Sequence, residues 1–399
     1  MRLSELFVKT MKEDPSGEVS VNAKLLTRGF VYKEMAVYTF LPLLRVLNKI
    51  ENIIRKHMNK VGKELVMTAL APKESRERTD RLDKVDVLMQ TSGANEASKN
   101  KSTNEYILNS THEEMITPIV KSFVSSYKDL PVAVYQIQSK FRNEARAKSV
   151  LRGREFRMKD LYSFHATEED FQMYYERVKQ AYIEIFEELL GESTHVTLAD
   201  FTEKFTHEFQ TICDAEDTIY VDKKSGIAIN DEVWNDETKA LFPDAERKEE
   251  KAAEVGNIFP LETKFTKAID FTFVDSENNH THPIMSYGIP SRVMVIVEKF
   301  HDEKGIVWPM NVAPFEYVII TIGDKGQEEA KLYEKLVQDV DVCIDDRDLG
   351  PAKFKDADLI GYPVQIIVNK TLEQDMSCEW VSRTSVEKKL IKLRDLIIN

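Results

Sequence analysis

Between residues 40 and 61 apolar side chains fall at Leu44, Leu47, Ile50, Ile54, Met58 and Val61. That three-and-four spacing follows one helix face and predicts a long amphipathic helix. KELVMTALAP then reads as a strand, residues 73–105 are polar and charged, and SGANEASKNKSTNE within them reads as loop. ITPIVKSFVSSYKDLP predicts a second helix that stops ahead of Pro131. VAVYQIQSKFRNE alternates with the period of a strand, and REFRMKDLYSFH does so again beyond a short basic loop. Residues 168–190, EEDFQMYYERVKQAYIEIFEELL, return to helical spacing. From about 195 to 312 the pattern is one of short strands and loops, with the acidic, lysine-rich 244–254 expected as a solvated helix. Beyond Pro314 come a strand (FEYVIITIG), a helix (QEEAKLYEKLVQDV), a strand (VCIDDRD), a helix (FKDADLIGYP) and a strand (VQIIVNK). This alternation predicts a separate α/β domain with a mostly parallel or mixed sheet, beginning near residue 313.

The two alternating stretches make an antiparallel hairpin. On the first, Gln136, Gln138, Lys140, Arg142 and Glu144 share a face; on the second, Arg154, Phe156, Met158, Asp160 and Tyr162 do. One face of such a hairpin can be core and the other a site. A guanidinium, a carboxylate, loop cations and a flat ring suit a nucleoside triphosphate, because arginine forks phosphate oxygens and an aromatic stacks a base. An exposed, salt-bridged hairpin fits the same residues equally well.

Composition narrows the partners. The chain has 399 residues, 42% hydrophobic and 31% charged, enough for two or three domains. A formal net charge of −13 argues against non-specific coating of nucleic acid, which lysine and arginine drive. Locally clustered cations leave an RNA partner open. Cys213, Cys343 and Cys378 form no CxxC pair, so they give no zinc signature and fit a reducing compartment. The N-terminal stretch lacks a signal-peptide core and no apolar run reaches membrane-spanning length, so a cytoplasmic protein with no membrane span is expected.

Four separated motifs, in order, resemble class II aminoacyl-tRNA synthetases, and among them the bacterial-type prolyl-tRNA synthetases. FRNE followed by RGREFRMKDLYSFH resembles motif 2 (about 135–165), and STHEEMITPIV the amino-acid-binding Thr-x-Glu loop. SYGIPSRVMVIVEKFHDEKGIVWPMNVAPF resembles motif 3 (about 285–300) and the passage into the anticodon-binding domain, whose signature CIDDRD…AKFKDADLIGYP resembles. Motif 1 falls at about 40–72. The resemblance implies an α+β fold: an antiparallel-sheet catalytic domain with flanking helices over 1–312, then an α/β anticodon-binding domain over 313–399. It implies ATP-dependent attachment of L-proline to tRNA(Pro) through a prolyl-adenylate, with Mg2+ accompanying ATP. A homodimer is implied too, with the 40–61 helix and the following strand at its interface.

By the same resemblance, Arg142 would hold the α-phosphate and the substrate carboxylate, Glu144 the adenine amino group, and Phe156 the adenine ring. Arg152 would reach the terminal phosphates and Arg292 would press on the triphosphate from motif 3. Thr111 and Glu113 would receive the proline ring nitrogen, while Met158, Asp160, Tyr162 and His207 would line the apolar pocket. Arg347 and Lys353 would contact the anticodon. His112 is expected to be a bystander. Too few residues separate Tyr162 from Ser286 for the editing domain that many bacterial relatives carry, so no editing in cis is expected. Two rival readings are a synthetase for another amino acid, threonine being nearest, and a non-catalytic paralogue that binds RNA or a partner.

The departures from the family pattern are mainly absent glycines. The chain has 14 glycines in 399 residues, about half the usual ~7%. Motif 3 lacks them before Ser286 and Pro290 and after Met294, and the motif 2 loop lacks one between Ser149 and Val150. Glycines allow close approach of backbone to ligand, so their loss bears most on the nucleotide site. Ser110 and Thr68 stand where the family usually has proline.

Overall fold

The computed structural model describes the chain apart from residues 8, 19, 34–36, 40, 103, 145–152, 192–193, 201–204, 223–227, 241–246, 291–294, 324–325, 370–376, 386–387 and 393–399. The fold divides into two units, Ile53–Val293 and one built from Met1–Asn52 with Met294–Asn399. The division falls within helix α1 (Leu41–Met58), the amphipathic helix that the spacing predicts.

The first unit is organised by an eight-stranded sheet. Its strands in chain order are β1 (Lys63–Glu64), β2 (Val132–Phe141), β3 (Glu155–His165), β4 (Thr194–Asp200), β5 (Phe205–Asp222), β6 (Ala228–Asn230), β7 (Arg247–Glu262) and β8 (Ile284–Pro290). Across the sheet they lie in the order β6-β4-β5-β7-β8-β3-β2-β1. Every pair from β4 to β2 is antiparallel. The stretch between the two central motifs is therefore taken up by strands of this same sheet.

Because side chains alternate along each strand, the sheet has two covered faces. Met158, Tyr162, Phe164, Phe259, Met285 and Tyr287 bury one face against helix α3 (Glu113–Lys121) and the chain around Phe265 and Phe271. The other face meets helix α4 (Glu168–Leu190), which starts at the capping hydroxyl of Thr167 and buries Phe171, Tyr174, Tyr175, Val178, Tyr182, Ile185 and Phe186. That series is the helical spacing read from the sequence.

Two expectations fail here. Residues 247–254 lie within β7 rather than in a solvated helix, paired along β5 from Asp222↔Arg247 to Gln210↔Glu254. Cross-strand pairing overrides the helix preference of the Glu/Lys/Ala run, and Ala252 and Val255 supply the buried positions. Residues 92–105, expected as loop, include a short helix, Glu96–Lys99, and the 73–105 stretch carries further structure. It holds helix α2 (Lys73–Arg78) and a strand, Met89–Thr91, that joins Leu70–Pro72 and Tyr106–Leu108 in a small three-stranded sheet.

The second unit carries a mixed five-stranded sheet: β9 (Tyr317–Thr321), β10 (Val342–Asp345), β11 (Val364–Val368), β12 (Ser377–Ser382) and β13 (Lys388–Lys392), ordered β10-β9-β11-β12-β13. The first three are parallel and the last two antiparallel. Helices α5 (Gly326–Leu336) and α6 (Ala352–Ile360) make the crossovers, as the alternating pattern predicts. The N-terminal residues belong to this unit through specific bonds. Ser4 donates through its N–H and hydroxyl to Asp346, and Arg45 and Lys49 both pair with Asp341.

Gly288 marks a close contact between the eight-stranded sheet and α4. The Lys159 ammonium donates to the Gly288 carbonyl at 3.1 Å and to the Tyr182 hydroxyl, and a Cβ on Gly288 would strike that hydroxyl. Gly288→Ala should therefore lower stability by about 1–3 kcal/mol, read as a drop in denaturation midpoint. Adding Tyr182→Phe should return part of the loss. A single variant with an unchanged midpoint would contradict this packing.

Candidate active site

The candidate site is built where the first turn of α3 meets the β2/β3 hairpin. The hairpin register sets Gln136 opposite Asp160, Gln138 opposite Met158 and Lys140 opposite Phe156. These residues face the same side, as the alternation predicts. Lys140 and Asp160 are fully buried, their ammonium and carboxylate 2.8 Å apart. Asp160 also accepts from the Gln136 amide at 3.1 Å and from the Tyr162 hydroxyl at 2.9 Å.

This buried network carries the start of α3. The His112 N–H donates to the Tyr162 hydroxyl at 2.8 Å. Lys140 lies 2.5 Å from His112 Nδ1, and His112 Nε2 lies 3.0 Å from the Thr68 carbonyl. With an ammonium on one side and a carbonyl on the other, Nδ1 must accept and Nε2 must carry the proton. His112 is thus a neutral strut bonded within the protein. Burial, then Lys140, pushes its pKa down to about 4, outweighing Asp160.

Either side of His112 stand Thr111 and Glu113, both buried. Arg81 reaches Glu113 Oε2 and Glu114 Oε1 at 3.0 Å each and the Thr111 hydroxyl oxygen at 3.4 Å. Arg76, with no exposed surface, donates to the Thr111 carbonyl at 2.6 Å and pairs with Glu114 at 2.5 Å. Burial alone would raise the Glu113 pKa, but Arg81, Arg76 and a hydrogen bond from Thr111 hold it down at about 2. Glu113 is therefore an anion placed at a helix N-terminus, where the helix dipole also favours it. The hairpin is tied to this loop by the Phe141 N–H, which donates to the Asn109 carbonyl at 3.1 Å.

Arg142 and Glu144 lie half-buried just beyond β2. The Arg142 guanidinium stacks over the Phe156 ring at 5.2 Å, a cation–π contact on the ring expected to receive adenine. Met158, Asp160 and Tyr162 are buried, so they form the floor of core and network beneath the loop rather than an open lining. Arg152 and Arg292 lie outside the described residues.

His207 is a correction. Its row across the sheet runs His207↔Ile258, Ile258↔Gly288, Gly288↔Leu161, which is the α4 face. Its Nδ1 meets the Tyr175 hydroxyl at 2.9 Å, in phase with Phe209, which packs on Tyr182. Asp160 and Tyr162 point the other way. A period of two leaves no intermediate position, so a residue one place out of phase faces the wrong side.

Two further corrections fall in the other unit. Lys353 is buried and donates to the Asp345 carbonyl at 2.9 Å, and Arg347 is forked onto Asp345 at 2.8 and 2.6 Å and paired with Asp356 at 3.1 Å. Both cations are tied to their own domain, Arg347 by two carboxylates and Lys353 by a backbone carbonyl. Arg76, Arg81, Gln136 and Lys140 were not singled out as functional from the sequence. Arg76 and Arg81 sit in a charged stretch that resembles any solvated loop, whereas Lys140 shares the Arg142 face, the one signal that pointed to it.

His112 gives a pH prediction. The unfolded chain takes up a proton near pH 6.5 that the folded protein refuses down to about 4. Stability from this group is present above pH 6.5 and is lost as pH falls toward 4, by up to about 3 kcal/mol. Denaturation midpoints of the parent should fall over that window, and those of His112→Asn should fall less. Parallel curves would contradict the neutral strut.

A family model described as tRNA synthetase class II core domain (G, H, P, S and T) matches residues 96–300, and one described as anticodon binding domain matches 316–398. The proline–tRNA ligase of Anaplasma phagocytophilum is 33% identical over 431 positions, covering 100% of this chain and 99% of its own. That of Agrobacterium fabrum is 35% identical over 438, covering 98% of each. Among solved structures, the Cryptosporidium parvum prolyl-tRNA synthetase complexed with halofuginone and AMPPNP superposes with a TM-score of 0.76 at 17% identity, over 94% of this chain and 75% of that one. The Giardia lamblia prolyl-tRNA synthetase in complex with prolyl-adenylate does so with 0.74 at 18%, over 94% and 74%. The structures establish the shared fold and the full-length relatives the lineage: the chain belongs to the proline–tRNA ligase family of class II synthetases.

Proposed function

We propose that this protein activates L-proline with ATP and transfers it to tRNA(Pro). The observation that carries the reading is the ionised Glu113 beside Thr111, held at a helix N-terminus against the motif 2 hairpin. Proline's ring nitrogen, protonated, has two N–H donors, which the Thr111 oxygen and the Glu113 carboxylate accept. A carboxylate oxygen of proline then attacks the α-phosphorus of ATP. The bond to the β-phosphate bridging oxygen breaks, and pyrophosphate leaves with that electron pair. A hydroxyl of the tRNA 3′-terminal ribose next attacks the prolyl carbonyl, and AMP leaves.

The protein contributes alignment and charge neutralisation. Arg142 bridges the proline carboxylate and the α-phosphate, Glu144 accepts from the adenine amino group, and Phe156 stacks the ring on one side. Arg152 and Arg292 take the outer phosphates. Among the described residues no group of three His, Cys, Asp or Glu stands ready to hold a metal. Mg2+ accompanying ATP would neutralise phosphate charge, as suits a cation that keeps several waters. Residues 1–312 serve catalysis and 313–399 serve anticodon binding, by recognition of unstacked bases. No helix among the described residues is long and apolar enough to cross a membrane. We place the protein in the cytoplasm as a homodimer, the commonest symmetric assembly, with α1 at its interface.

Purified protein should catalyse proline-dependent ATP–pyrophosphate exchange. Glu113→Gln should lower kcat/KM for proline roughly 10–100-fold while leaving the KM for ATP nearly unchanged, since a hydrogen bond to a charged group is lost. Exchange that depends on threonine instead, or on no amino acid, would overturn the assignment.

A further inference from the structure

We infer that Asp80 is a positioning residue: its left-handed backbone turns two arginines onto the amino-acid loop and thereby sets the affinity for proline. This rests on the reading that Thr111 and Glu113 receive the substrate nitrogen. Asp80 has a φ of +56° and follows the last turn of α2. Its N–H donates to the Glu77 carbonyl at 3.0 Å, and the next N–H, that of Arg81, donates to the Arg76 carbonyl at 3.0 Å. That pair of bonds is the Schellman motif, a helix end that turns on a left-handed residue.

The motif decides where the arginines point. Along a continuing helix Arg76 and Arg81 would lie about 140° apart around the axis, so a longer α2 would aim them in different directions. The reversal at Asp80 instead folds Arg81 back over Arg76, and both reach the same loop from within the protein. Arg76 donates to the Thr111 carbonyl at 2.6 Å and to Asn109 Oδ1 at 3.3 Å. Arg81 donates to Glu113 Oε2 and Glu114 Oε1 at 3.0 Å each. From the same turn, the Thr79 hydroxyl lies 3.0 Å from Glu114 Oε1. Arg76, Thr79, Thr111, Glu113 and Glu114 are all buried.

The pivot itself is exposed, and its carboxylate pairs with Lys84, which is exposed too. An ion pair between exposed side chains contributes little, so the contribution of Asp80 lies in its backbone conformation. Glycine adopts a positive φ freely and aspartate or asparagine more readily than most residues, whereas a β-branched residue there is a steric outlier. Substitution at position 80 therefore changes the direction of Arg76 and Arg81 while leaving both guanidinium groups, and the loop they hold, chemically intact.

The test measures proline-dependent pyrophosphate exchange and denaturation midpoints across substitutions of Asp80 in the full chain. Asp80→Asn and Asp80→Gly, which keep the left-handed turn, should retain the parent KM for proline. Asp80→Val should raise that KM roughly tenfold by misplacing the loop, with the KM for ATP unchanged. Asp80→Ala should fall between, and it decides the matter if the valine variant does not fold. Equal losses for proline and ATP, or a lower midpoint with both KM values kept, would make the turn merely structural and overturn the inference. So would an Asp80→Asn variant as impaired as Asp80→Val, since the carboxylate rather than the backbone would then carry the effect. A Glu113→Gln variant that retains the parent KM for proline would instead sink the reading of the pocket itself, whatever the Asp80 variants do.

Discussion

A lysine and an aspartate without solvent, Lys140 and Asp160, are the constraint around which the candidate site is arranged. Removing either charge from water is costly, and mutual attraction offsets that only when the geometry is good and the remaining polar atoms find partners. Here the partners are Gln136, Tyr162 and His112, and each belongs to a different part of the site. Gln136 accepts the Met67 N–H at 3.0 Å, Tyr162 receives the His112 N–H, and His112 reaches Thr68. One ion pair thereby fixes the strand pair, the entry to α3 and the chain ahead of the small sheet. Thr111 and Glu113 are positioned as a consequence.

The second organising fact is that the central sheet is covered on both sides and divides its labour between them. Towards α4 lie Lys159, Gly288, His207 and Phe209, a packing surface. Towards α3 lie Asp160, Tyr162, Tyr287 and Phe259, with Tyr162 and Tyr287 stacked at 5.0 Å and Tyr287 on Phe259 at 6.0 Å. The chemistry has a rigid floor because its side chains are core on one edge and network on the other. Arginines on Glu113 and Glu114 then set the charge of the loop above it. An acid buried without them would be protonated near neutrality, as desolvation raises carboxyl pKa values.

Much of this was legible before the structure. The 168–190 helix has ten buried positions at unbroken helical spacing, and the hairpin alternates over its whole length, so period alone placed both. The C-terminal alternation of strands and helices gave the mixed sheet in the same way. The failures share a cause, which is that tertiary partners decided them. Residues 247–254 carry helix-favouring residues but pair along their length with β5. The His207 side was set by strand phase, which the cross-strand partners Ile258 and Gly288 fix. Lys353 and Arg347 look like free cations until Asp345 and Asp356 come beside them. Arg76 and Arg81 are indistinguishable from solvated charges until α3 brings Glu113 and Glu114 to them.

The central claim, that a buried ion pair beneath α3 positions the proline-binding groups, is tested most directly by a double-mutant cycle on Lys140 and Asp160, read in both denaturation midpoint and KM for proline. The account predicts that Lys140→Met alone costs about 3–5 kcal/mol by leaving a buried carboxylate uncompensated and raises the KM for proline more than that for ATP. Lys140→Met with Asp160→Asn should recover much of the stability but not the proline KM, because His112 and Tyr162 remain without their anchor. If both single variants match the parent in midpoint and proline KM, the pair does not hold the site and the account is wrong.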